Sequence, residues 1–185
     1  MLKLFYSLPL SYVIVGTLFV LVIWSLFFYK FSYRKYGNCV HTNNFWLMVR
    51  AILLVFSIFL IFFTTIFTRN TGEFSKLVLQ PFYSFVVAKK QPEMYRSMIM
   101  NIVLFLPVGM SFATILPLKL KTKTRIIITS LLGLLLSALV ESIQYFCALG
   151  EAWTDDVICN VIGAFCGSLT IIIWKLFFLF KHNYT

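Results

Sequence analysis

Glu141 interrupts an otherwise uncharged run from Ile126 to Cys147. Gln144 follows three residues on and Ser137 precedes by four, so a helix puts all three on one face. Asp156, Asn160, Gly163 and Gly167 stand at i, i+4, i+7 and i+11, a second face, with Asp155 beside its head. Asn101 lies about one turn after Ser97, and Arg69 closes an uncharged run of its own. Carboxyls, carboxamides and a guanidinium gathered in one place bind a polar group by charge and hydrogen bonds. With a substrate in reach, the carboxyls also move protons. A plainer reading stands beside this one: Asn and Gln tie helices together, Asp156 complements a helix N-terminus, and the glycines pack. Glu141 fits the plain reading least, because helix ties need no ionisable group.

The elements that hold these residues follow from composition. Of 185 residues, 61% are hydrophobic and 12% charged, about half the charge of an ordinary soluble domain. Uncharged stretches of 26, 18, 22 and 18 residues separate Lys3 from Lys30, Arg50 from Arg69, Arg96 from Lys119 and Asp156 from Lys175. Eighteen residues of helix rise about 27 Å, close to the hydrocarbon thickness, and backbone in lipid must bond to itself. The prediction is an all-α, polytopic membrane protein, one membrane domain over 1–185, with five transmembrane helices at 8–29, 46–68, 97–117, 126–147 and 157–178. Between the second and third lies FSKLVLQPFYSFVVA, Phe74 to Ala88, apolar but too short to span and broken by Pro81. It is expected to be an interfacial or re-entrant segment.

Five spans divide the basic residues six to ten. Lys3, Arg69, Lys76, Lys89, Lys90 and Arg96 fall on one side, and Lys30, Arg34, Lys35, Arg50, Lys119, Lys121, Lys123, Arg125, Lys175 and Lys181 on the other. The positive-inside rule puts the ten in the cytoplasm, the N-terminus outside and the C-terminus inside. Arg69, Asn101, Gln144, Asp155, Asp156, Asn160 and, slightly deeper, Glu141 then gather near the outer leaflet as one ligand site. No catalytic residue is assigned.

Other chemistries are excluded by what the chain lacks. Cys39, Cys147, Cys159 and Cys166 form no C-x-x-C pair, and His41 and His182 lie in a loop and a tail, so no metal centre is expected. No nucleotide or zinc-protease signature is present, and no cofactor is expected. The net charge of +10 belongs mostly to the inner face, which fits anionic lipid and not nucleic acid.

Asn101 to Gly109, reading NIVLFLPVG, resembles the N-x-L-L-F-x-P-x-G signature of VanZ-like membrane proteins. Glu141-x-x-Gln144, then Asp155-Asp156-x-x-x-Asn160-x-x-Gly163-x-x-x-Gly167, is similar to their second signature. Leu79-Gln80-Pro81-Phe82 resembles their hydrophobic-Pro-Phe piece, and Arg69 matches a basic position near it. These matches cover about residues 65–168. One departure is that 148–153 carries no arginine where many members have one, so the protein either lacks that group or substitutes Arg69 or Arg96 for it. The resemblance implies a protein of the bacterial cytoplasmic membrane and cell envelope. Its partners would be membrane lipids or a lipid-linked envelope precursor. It further implies a link to resistance against lipid-bearing glycopeptide antibiotics. A membrane enzyme acting on a lipid-linked substrate is the alternative.

Overall fold

The computed structural model describes residues 34–36, 39–41, 44–67, 69, 76–117 and 119–173; the span expected at 8–29 lies outside them. Among the described residues, four helices are long and apolar enough to cross a membrane: Leu47–Phe67, Glu93–Ile115, Thr122–Phe146 and Thr154–Ile173. The elements in chain order are β1 (Arg34–Tyr36), β2 (Cys39–His41), α1 (Asn44–Phe62), β3 (Lys76–Val78), α2 (Tyr83–Ala88), α3 (Glu93–Ile115), α4 (Thr122–Phe146), β4 (Glu151–Trp153) and α5 (Thr154–Ser168). A π-helical turn, Phe63–Phe67, ends α1.

The helices start earlier than the uncharged runs do. α3 takes in Glu93 and Arg96, α4 takes in Lys123 and Arg125, and α5 takes in both Asp155 and Asp156. Charge at a helix end is tolerated when its head reaches water or a backbone partner, so a run of apolar residues underestimates the helix around it.

Small residues set the packing. A Cβ on Gly163 would collide with the Ile102 carbonyl, and one on Gly167 with the Leu106 carbonyl, while one on Gly109 would meet the Ala164 carbonyl. α3 and α5 therefore touch backbone to backbone, which the G-x-x-x-G spacing permits. Ile61, Phe105, Val108 and Val140 join α1, α3 and α4 in a buried cluster. Outward faces stay apolar, with Val55, Phe56 and Phe59 exposed on α1 and Leu131, Leu135 and Leu139 on α4.

The connections are not purely helical. β1 and β2 pair antiparallel, Arg34 opposite His41. β3 and β4 pair parallel, Lys76 opposite Glu151 and Val78 opposite Trp153. The stretch expected to be interfacial or re-entrant thus forms a strand, a turn at Pro81–Phe82 and the six-residue α2. Strands of three residues leave no alternation to read in a sequence.

At the other end of the bundle two buried arginines meet the C-terminus of α3. Arg50 donates through Nη1 to the Thr114 carbonyl at 3.0 Å, and Arg125 donates through Nε at 3.1 Å and through Nη2 to that of Ala113. These are carbonyls that a helix end leaves without intrahelical donors.

Candidate functional site

The last residues of α4 and the first of α5 meet at the end of the bundle opposite Arg50 and Arg125. Only Cys147 to Trp153 separates the two helices, so Glu141 and Asp156 come close across a short connection. The Glu141 carboxyl lies within the electrostatic reach of Asp156 and Arg69. Its Oε2 accepts a hydrogen bond from the Trp153 backbone N–H at 3.1 Å. The Asp156 carboxylate lies near the Asn101 side chain of α3 and within the electrostatic reach of the Arg69 guanidinium. Glu141, Asp156, Asn101 and Arg69 therefore form one group, drawn from three helices and the segment after α1.

Two carboxamides bracket this group. Gln144, one turn beyond Glu141, sends Nε2 across to the Thr65 carbonyl at 3.1 Å. Thr65 belongs to the π-helical turn that ends α1, where its hydroxyl bonds back to the Ile61 carbonyl. The terminal carbonyl it presents is one that a helix end leaves open. Asn160, one turn deeper than Asp156, donates through Nδ2 to Ser137 Oγ at 2.8 Å. Ser137 stands one turn deeper than Glu141, so Asn160 forms the floor and Gln144 the outer wall. The order of depth is thus Gln144, then Glu141, then Asn160, and Glu141 is not the deepest member. Gln144 Oε1 and Asn160 Oδ1 are both buried without a hydrogen-bond partner. Buried acceptors are rarely left unmatched in a finished fold.

Asp155 does something else. It is 3% exposed, and its two oxygens accept the backbone N–H groups of Phe82 and Ser84, the latter at 2.7 Å. Phe82 holds a positive φ of 62°, unusual for a bulky residue and sustained only where neighbours hold it. Asp155 is such a neighbour. Its carboxylate caps the start of α2 and fastens β3 and α2 over this end of the bundle, where Tyr83 stacks on Trp153 with ring centroids 6.0 Å apart. An exposed Lys76–Glu151 ion pair at 3.6 Å closes the strand pair.

Arg69 donates through Nη1 to the Leu149 carbonyl at 3.4 Å. Its guanidinium thereby reaches the 148–153 stretch that has no arginine of its own. The Thr65 carbonyl, the Trp153 N–H and the Leu149 carbonyl were not among the expected site groups. All three are backbone atoms, which side-chain spacing does not reveal. Cys147, Cys159 and Cys166 are free, and among the described residues no His, Cys, Asp and Glu group is arranged to hold a metal ion.

Neither curated proteins nor solved structures gave a match to the chain. The VanZ/LLP1 family model matches residues 12–177, wider than the motifs at 65–168 and reaching into the stretch where the first span is expected. The match takes in nine-tenths of the sequence together with every residue of the site, and the chain belongs to the VanZ/LLP1 family.

Proposed function

We propose that the protein sits in the bacterial cytoplasmic membrane with its N-terminus outside, and that it binds or alters a lipid-linked envelope component from the outer leaflet. Ligand contacts would come from Arg69, Asn101, Glu141, Gln144, Asp156 and Asn160, with Asp155 holding the cap above them. Lower susceptibility to lipid-bearing glycopeptide antibiotics would follow if that component is a cell-wall precursor such drugs act on. The observation that carries this reading is the environment of Asp156: the side chains of Asn101 and Arg69 lie near it, and side chains can turn to a ligand. Glu141 and Asp155, by contrast, hold backbone N–H groups.

The test is Asp156→Asn in cells. The variant is expected to reach wild-type abundance in the membrane, to lose any envelope or drug-tolerance phenotype, and to lose the lipids that co-purify with the wild type. Unchanged phenotype and lipids at full abundance would remove the site from function.

The proximity of Glu141 and Asp156 favours a second reading, an enzyme that uses the two carboxyls as acid and base on a lipid-linked substrate. A lipid whose mass changes with wild-type protein but not with Glu141→Gln would select the enzyme over the binding protein.

A further inference from the structure

Two buried amide oxygens beside the carboxyls lack partners. The Thr65 carbonyl only accepts, so the Gln144 amide nitrogen must face it and Oε1 is left as the free atom. Gln144 is 2% exposed and Asn160 4%, and Asn160, bonded to a hydroxyl that can accept or donate, leaves its other amide atom buried and unmatched. Gln144 lies one turn outside Glu141 and Asn160 one turn deeper than Asp156, so free oxygens flank the carboxyls on each side. The partner they lack is a hydrogen-bond donor. Charge is consistent with this, because Asp156 lies within the electrostatic reach of both Glu141 and Asp155. Arg69 supplies positive charge at the exposed rim of the group.

We infer that the group recognised here is a primary ammonium carried next to a phosphate, as in a phosphoethanolamine headgroup. The inference rests on the ligand site proposed above and names the chemistry of its ligand. The N–H donors are shared among the oxygens of Asp156, Glu141, Gln144 and Asn160, and Arg69 takes the phosphate in its planar fork. A trimethylated ammonium has the charge but no N–H to give. A glycerol headgroup has the donors but no positive charge to set against the carboxylates. Admission requires the cap of β3, α2 and β4 to move, and its ties to Asp155 and Glu141 are the bonds that open.

The experiment uses the full chain purified in mild detergent, exchanged with vesicles of equal parts phosphatidylethanolamine, phosphatidylcholine and phosphatidylglycerol, with retained lipid read by native mass spectrometry. Phosphatidylethanolamine should be retained about tenfold over either competitor, the difference expected for one buried polar contact made or missed. Asp156→Asn and Gln144→Met should each bring it down to the phosphatidylcholine level. If a variant does not accumulate, the three-lipid comparison on wild-type protein still decides. Displacement of the lipid by free phosphoethanolamine, with phosphocholine inert, would support the same headgroup in soluble form. Retention that phosphoethanolamine leaves untouched would support a lipid as its source. Equal retention of phosphatidylethanolamine and phosphatidylcholine overturns the inference. Preference for phosphatidylglycerol that is lost in Asp156→Asn also overturns it, yet leaves the outer-leaflet ligand site standing.

Discussion

Charged side chains close helix ends at both poles of this bundle, with opposite signs and different completeness. At one pole Arg50 and Arg125 donate to the Thr114 and Ala113 carbonyls that end α3. At the other, Asp155 accepts from the N–H groups that begin α2, and Glu141 accepts from Trp153. Each arrangement answers the same need, since helix ends carry unmatched backbone groups and partial charge. The difference lies in Asp156. The side chains of Asn101 and Arg69 lie near it, and side chains turn toward a ligand more readily than backbone does.

The largest effect should come from the seam that joins the two poles. Gly163→Leu drives a side chain into the Ile102 carbonyl, and with backbone on the far side there is little to yield. The expected loss is roughly 3 kcal/mol or more, read as reduced membrane accumulation and a lower melting temperature in detergent. A normal melting temperature would mean that α3 and α5 do not need their close approach.

Next is the pole closed by arginines. Arg125→Leu leaves the buried Ala113 carbonyl short of two donors, and the expected loss is about 2 kcal/mol. Lipid retention, measured on whatever folds, should not change its selectivity. A changed selectivity at full stability would break the distinction between the two poles.

Asp155→Asn should be milder and local. The amide keeps one acceptor but turns a donor toward a backbone N–H, for about 1 kcal/mol. Amide exchange at Phe82 and Ser84 should accelerate while α3 and α5 stay protected. Uniform acceleration across the bundle would show that the cap and the helices open together. The smallest effect on stability belongs to Asp156→Asn, within about 0.5 kcal/mol, as for substitutions that leave no buried backbone group unmatched. Here stability and function should separate; a drop in melting temperature equal to that of Asp155→Asn would make Asp156 structural too.

Much of this was legible in the chain itself. The uncharged runs after Arg50 and after Arg96 mark helices because 18 or more uncharged residues have few other uses. Glu141, Asp156 and Asn101 could be grouped from helical phase and equal depth, because antiparallel helices joined by short loops place their ends together. Asp155 could not be separated from Asp156. Adjacent in sequence and identical in type, they point about 100° apart on α5, one toward α2 and the other toward α3, and only packing decides which is which. Arg125 was equally opaque: it counts as a cytoplasmic charge in a topology argument, yet its side chain is buried against α3. The parallel strand pair of Lys76–Val78 and Glu151–Trp153 joins segments about 75 residues apart and has no periodic signature.

That separation has a consequence for how the chain is made. The bonds from Asp155 to Phe82 and Ser84 close loops of 73 and 71 residues, and α3 and α4 lie within those loops. A growing chain exposes Leu79, Phe82, Phe85 and Val86 well before the residue that will hold them exists. Contacts of long sequence separation form late, so the segment cannot be fastened until α5 has been made. The order of synthesis makes the fastening of the cap depend on α5, and a chain truncated before that helix would leave the cap permanently unfastened.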